Sequence, residues 1–373
     1  MTQSSRCYTG LLALVLLSGL AHIHVAAASG PLPNPPPPAV AQPHLESPSI
    51  PEPRQLHTLP PATAQLLWAT GEVQVTRPIR LMVFAPHPDD ETLAAGGLIQ
   101  RVLAQGGQVR VVFVTNGDGY VDGVRKEVQR AHTSNIDFIQ YGERRHQEAL
   151  RAIHALGLPL RSAVFFGFPD DGIDDLWERH WSTTNPYTSP YTRLNRPVYK
   201  ESLSQRVEYV GVDLEGEIAR VLRDFSPEWV LVPDPRDRHP DHCTTSVFVL
   251  EALRRLQQVK DPRVPRTRVL AFLVHYPNYP ASAAWLNEIA GAGVGGSSAA
   301  GRVLADARWT HLQLSSTEMA AKGQALSEYQ SQIHVMNPFL KQFMLPFELF
   351  AELDTAQIDG VPREYAARFR GRR

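Results

Sequence analysis

Cysteine is nearly absent from this 373-residue chain, which has only Cys7 and Cys243. That scarcity excludes a disulfide framework, so a buried core has to hold the fold. Excess charge of either sign is missing too: 37 Lys and Arg stand against 38 Asp and Glu, a formal net charge of −1. Nothing in that balance points to a nucleic-acid partner, and the basic end from Arg368 to Arg373 reads as a solvated tail. The apolar run from Gly10 to Ala21 falls short of the ~20 residues that cross a bilayer, so no stable span is expected in the mature chain. No Gly-x-Gly-x-x-Gly follows the first predicted strand, and the glycine- and alanine-rich stretch from Ala290 to Gly301 has no phosphate-loop lysine. Both absences argue against a bound nucleotide, and the stretch reads as a flexible lid or spacer.

What is present is the composition of a globular protein, 43% hydrophobic and 20% charged. Arg6, the apolar run and the small residues Ala26-Ala27-Ala28 have the order of a secretory signal, residues 1–28, cleaved near Ala28. Residues 29–69 form a proline-rich linker, with Pro35-Pro36-Pro37-Pro38 favouring an extended, semi-rigid spacer. The folded domain is expected over 70–350 and a basic tail over 351–373. An exported protein, periplasmic or extracellular, is the corresponding expectation.

Within the domain, strand and helix patterns alternate. Leu81 to Ala85, Val109 to Thr115, Ala163 to Phe166, Val230 to Pro233, Arg268 to His275 and Trp309 to Leu314 read as strands, most of them apolar throughout as in a parallel sheet. Between them lie helical stripes: Leu93 to Leu103 ended by Gly106-Gly107, Gly142 to Leu156, Leu214 to Phe225, Val247 to Leu256 and Ser315 to Gln332. The alternation predicts an α/β fold, a Rossmann-like three-layer α/β/α arrangement around an open, mostly parallel sheet. Cys243 reads as a small buried residue of a helix.

Two segments share one grammar. Pro86-His87-Pro88-Asp89-Asp90-Glu91 follows the first strand, and Arg238-His239-Pro240-Asp241-His242 follows the strand ending at Pro233. Each places imidazole and carboxylate just beyond the carboxyl end of a strand, where ligands bind in open α/β sheets. Acidic residues alone would be helix caps, but two His/Asp clusters of the same form fit a divalent metal, with proline restricting the backbone that carries the donors. If the sheet reverses its strand order between its halves, both segments face one crevice.

These motifs, with Thr115-Asn116-Gly117-Asp118, Arg145-His146-Gln147-Glu148, Gly167-Phe168-Pro169-Asp170, Lys322, Tyr329 and Gln332, resemble the PIG-L/LmbE-like family of zinc-dependent N-deacetylases over roughly residues 77–350. The resemblance implies zinc held by His87, Asp90 and His242, with Asp89 as general base. It leaves His239 to stabilise an oxyanion or protonate a departing amine, with Asp241 orienting it. The implied reaction removes an N-acetyl group from an N-acetylglucosamine-type sugar or glycoconjugate. Arg145, Asp118 and Asp170 are the candidate substrate contacts; the alternatives are an ion pair of Arg145 with Glu148 and turn caps for both aspartates. A zinc hydrolase of another amide or ester, or a non-catalytic glycan-binding module, would retain the same fold.

The long stretch from Asp171 to Tyr209 carries Trp177, Trp181, Tyr187, Tyr191 and Tyr199. These rings either form a platform for sugars or pack the loop onto the body.

Overall fold

The structure, a computed structural model, describes residues 71–130, 132–203, 205–264, 266–276, 279–280 and 308–353. The expected signal, the proline-rich linker, the glycine–alanine stretch and the segment beyond 353 lie outside the described residues.

Among the described residues, eight strands form one sheet in the order β1-β7-β8-β6-β5-β2-β3-β4. They are β1 (Gly71–Glu72), β2 (Arg80–Ala85), β3 (Gln108–Thr115), β4 (Ala163–Phe168), β5 (Trp229–Pro233), β6 (Arg268–Phe272), β7 (Arg308–Gln313) and β8 (Phe347–Leu353). The pairs β2–β3, β3–β4, β2–β5, β5–β6 and β1–β7 are parallel, and β8 runs antiparallel to both its neighbours. The helices are α1 (Asp90–Ala104), α2 (Val121–Val128), α3 (Asn135–Ala155), α4 (Ile173–Glu178), α5 (Gly211–Phe225), α6 (Pro240–Gln258), α7 (Ser316–Ser327) and α8 (Gln330–Lys341).

Side chains alternate across β2, and so define the three layers. Met82 and Phe84 join Ile218 and Leu222 of α5 and Val247 and Phe248 of α6 in one core, whereas Leu81, Val83 and Ala85 join Leu98 of α1, Ile153 of α3 and Leu326 of α7 in the other. From β2 the chain proceeds to β3 and β4 on one side, and from β5 to β6 on the other. The reversal therefore falls between β2 and β5, which pair through Met82 and Val230. That is the switch point at which the two motif-bearing loops open into one crevice.

Several elements differ from the sequence reading. α3 begins at Asn135, seven residues before the expected Gly142, because Ser134 and Asp137 form a capping box. Gly142 is interior, where a β-carbon would lie 2.2 Å from the Tyr199 hydroxyl. β6 stops at Phe272 instead of His275, since the Asp237 carboxylate accepts from the Val274 and His275 N–H groups (2.9 Å each) and takes them out of the ladder. The helix expected from Ser315 to Gln332 is two helices, broken at Tyr329 (φ −81°, ψ 59°). β8 was not expected, and it carries the domain to Leu353, into what reads as tail from sequence alone. Its buried Glu348 takes the Lys322 ammonium at 2.9 Å and the Gly97 and Leu98 N–H groups, tying β8 to α7 and α1. The short α2 lies where no element was assigned.

The aromatic loop packs inward. Trp177 is 2% exposed and lies edge-on to Phe248 of α6 (4.8 Å between centroids) and to Trp181 (5.3 Å). Tyr187 and Tyr199 are buried as well. Of the two readings of this loop, packing holds for Trp177, Tyr187 and Tyr199, because rings committed to the core have no face left for a sugar. Cys243 is buried in α6, as expected. No helix among the described residues is long and apolar enough to cross a membrane.

Candidate metal centre

β2 ends at Ala85 and the chain turns through Pro86 to Pro88 before α1 starts at Asp90. Asp90 Oδ2 accepts from the His87 N–H at 2.9 Å, fixing the first two donors against each other. On the neighbouring strand, Pro233 ends β5 and His239 caps α6 with Pro240 in its first turn, which presents His242 one turn in.

Three donor atoms converge here. His87 Nδ1 lies 3.2 Å from His242 Nε2 and 3.4 Å from Asp90 Oδ2, and His242 Nε2 lies 3.2 Å from the same Asp90 oxygen. A tetrahedral ion with bonds of about 2.0–2.1 Å spaces its ligands by about 3.3–3.4 Å, so this triangle has the edge such an ion requires. All three residues are buried.

The charge around them also fits a cation. Asp89, Asp90, Asp170, Asp237 and Asp241 are buried beside the imidazoles, and the buried guanidinium against them is Arg145. Burial opposes protonation of His87, yet Asp170, Asp241 and Asp90 outweigh it and hold the imidazole well above its ordinary value. For His242 the same contest, with Asp90 and Asp237 prevailing over burial, ends at about 9. Burial raises Asp90, but His242 and His87 reverse this and keep it far below the ordinary range. The pocket thus stabilises positive charge where the three donors meet.

A cation entering it must displace protons, because imidazole ligates only when neutral. Affinity should therefore weaken as pH falls from about 9 toward 6, by about tenfold per unit for each proton displaced. Zinc titrations across that range measure the slope; an affinity independent of pH would contradict these proton-bearing donors.

Behind each of the two imidazoles stands a carboxylate. Asp170 Oδ1 is 3.0 Å and Asp241 Oδ2 3.2 Å from His87 Nε2, and Asp237 Oδ2 is 3.4 Å from His242 Nδ1. Such partners set ring orientation and tautomer in His-ligated metal sites. The structure therefore places Asp170 behind His87, with its other oxygen accepting from the Gly119 N–H at 2.7 Å. The Asp241 carboxylate likewise bonds His87 and the N–H groups of Asp171 and Ile173, where a bond to His239 was expected. His239 receives instead the Asp241 backbone N–H on Nδ1 at 3.2 Å. Its pKa falls to about 4, by burial first and then by the charge on His87 and His242.

Asp89 lies beside the triangle in a backbone conformation rare for a side-chain-bearing residue, φ 126° and ψ −29°. Burial lifts its carboxyl to about 8, against the pull of Arg145. Arg145 reaches it at 3.6 Å and donates to the carbonyls of Pro88 (2.8 Å) and Gly117 (3.0 Å). Gly117, at φ 64°, has to be glycine, as a β-carbon would lie 1.8 Å from the guanidinium. The alternative pairing of Arg145 with Glu148 is not formed: Glu148 bonds Ser331 and Arg144. Asp118 accepts from Tyr199 at 2.5 Å and is pushed to about 7 by burial and then by Asp170.

Sequence reasoning missed Asp237 and His275. Asp237 sits in a loop without periodicity, and its position two residues before His239 was the available signal. The His275 ring lies 4.8 Å from that of His242 and 5.1 Å from that of His239, stacked on Phe339.

Fold and site together define a three-layer α/β protein with a His–Asp–His candidate metal site at the sheet's switch point. The family described as PIG-L, GlcNAc-PI de-N-acetylase, matches residues 82–253 of the chain. The match is narrower than the 77–350 read from motifs, and ends within α6. The 1D-myo-inositol 2-acetamido-2-deoxy-alpha-D-glucopyranoside deacetylase of Mycobacterium sp. (strain KMS) is 30% identical over 208 residues, 52% of this chain and 59% of the relative. The protein of the same name from Saccharomonospora viridis is 30% identical over 196 residues, 50% of this chain and 65% of the relative. The chain thus spans less than two thirds of the length of these relatives. Among solved structures, N,N'-diacetylchitobiose deacetylase from Pyrococcus horikoshii is similar at 16% identity and a TM-score of 0.45, covering 79% of this chain and 92% of that one.

Proposed function

We propose that the protein is a zinc-dependent N-deacetylase acting on an N-acetylglucosamine-type sugar or glycoconjugate. The observation that carries the reading is the donor triangle of His87, Asp90 and His242 with the Asp89 carboxylate held beside it. The printed names of the relatives support the substrate class.

A divalent ion on those three donors would supply Lewis-acid polarisation of the acyl oxygen and acidify a water at neutral pH. Asp89 is the general base: with a cation on the neighbouring donors its carboxyl is drawn down from about 8 into the ionised form, which takes the proton of the attacking water and returns it to the departing amine. Arg145 aims that carboxylate and is a positioning residue, as are Asp170 and Asp241 through His87 and Asp237 through His242. His239 is neutral at pH 7, and with Nδ1 accepting the Asp241 N–H its proton resides on Nε2. A neutral Nε2–H donates a hydrogen bond to the acyl oxygen as negative charge develops there. Asp118, fastened to Tyr199, is offered as a wall of the sugar site.

Acetate release from N-acetylglucosamine, its oligomers, an N-acylated antibiotic and a simple ester, with and without chelator, tests the reading. Acetate from the acetamido sugars, abolished by chelation, is expected. Hydrolysis of the ester or antibiotic alone would move the protein to another class of hydrolase. The apolar run before Ala26-Ala27-Ala28 supports export, and a mature N-terminus near residue 29, read by mass spectrometry, tests it; an intact Met1 would contradict it.

A further inference from the structure

The Asp89 conformation must be held against its cost, since a non-glycine residue at such φ is strained. On one side of the Pro88–Asp89 peptide, Arg145 Nη2 donates to the Pro88 carbonyl at 2.8 Å. On the other, the Asp89 N–H donates to Glu91 Oε2 at 3.2 Å. Glu91 is fully buried and does not act as a solvent-facing helix cap. Its other oxygen accepts from the Thr92 hydroxyl and from the Tyr329 hydroxyl, each at 2.5 Å. Tyr329 is itself 0% exposed and stands at the break between α7 and α8, 238 residues further along the chain and beyond the part matched to the family.

We infer that Tyr329, through Glu91, is a positioning residue for the general base, a clamp by which the α7–α8 junction fixes the peptide that aims Asp89. The inference rests on the proposed deacetylase reading for its catalytic consequence, but the clamp itself is independent of it. Three donors, the Asp89 N–H and the Tyr329 and Thr92 hydroxyls, converge on one carboxylate. Removing the tyrosine hydroxyl releases one oxygen to reorient. Replacing Glu91 by Gln leaves a single, uncharged acceptor oxygen: its amide NH2 faces either the Asp89 N–H, losing that bond, or the Thr92 and Tyr329 hydroxyls, which must turn to accept, and in both cases the hold on the Asp89 N–H weakens.

The test compares Tyr329→Phe and Glu91→Gln with Tyr209→Phe, which loses a buried hydroxyl bond to the Gly167 carbonyl elsewhere. Two readouts are taken: hydrogen exchange at the Asp89 amide, and zinc content together with kcat and KM for acetate release from N-acetylglucosamine. The clamp predicts at least tenfold faster exchange at Asp89 in the first two variants, a kcat reduced at least tenfold, and KM and zinc content held. Tyr209→Phe should show none of this. Unchanged Asp89 exchange in either folded variant, or a kcat loss that simply tracks zinc loss, would overturn the inference. If one variant fails to fold, the other decides. If the wild-type protein releases no acetate, the deacetylase reading fails, while the exchange measurement still decides the clamp.

Discussion

Asp89→Asn is expected to keep its zinc and lose turnover by about 10²–10⁴-fold, the range for a positioned general base. The substitution preserves shape, and asparagine tolerates positive φ better than most residues, so the turn at Asp89 should survive. The amide cannot take a proton from water, so the loss falls on kcat. Asp90→Asn is the necessary companion, because Asp90 Oδ2 is a corner of the donor triangle. It should lose zinc along with activity. Equal zinc loss in the two variants would mean that both carboxylates ligate and that the base lies elsewhere.

The second large effect concerns the donors. His242→Ala and His87→Ala should each weaken zinc binding by more than about 100-fold, beyond the 10–100-fold cost of losing a supporting partner. Asp237→Asn should fall inside that smaller range, because Asp237 touches His242 at Nδ1 and leaves the ligating Nε2 in place. The ordering separates ligand from support, and competition with a chromogenic chelator measures it. Similar affinities for His242→Ala and the wild type would show the site to be wrongly placed.

Much of this was legible because it is written locally. A strand buried on both faces is an apolar run whatever its partners, so β2, β3 and β5 were readable, and the motifs lay at their ends. The reversal of strand order was inferred from two loops that needed a common crevice, and the β2–β5 pairing bears it out. What escaped depends on distant contacts. β8 mixes Glu348 and Glu352 into its apolar residues, and Glu348 becomes intelligible only beside Lys322. β6 ends early because of Asp237, a residue on another loop. The orienting carboxylate of His87 comes from Asp170, across the crevice and 83 positions away in the chain, so it reads as a turn residue until the fold closes. Trp177 shows the converse: an aromatic residue in a long polar stretch invites a ligand, and α6 had already claimed it.

The most direct measurement is an anomalous difference map at the zinc edge from crystals of the zinc-loaded protein. The expected result is one strong peak within about 2.0–2.1 Å of His87 Nδ1, Asp90 Oδ2 and His242 Nε2. A peak coordinated by other side chains, or no peak with those three donors still bonded to one another, would contradict it.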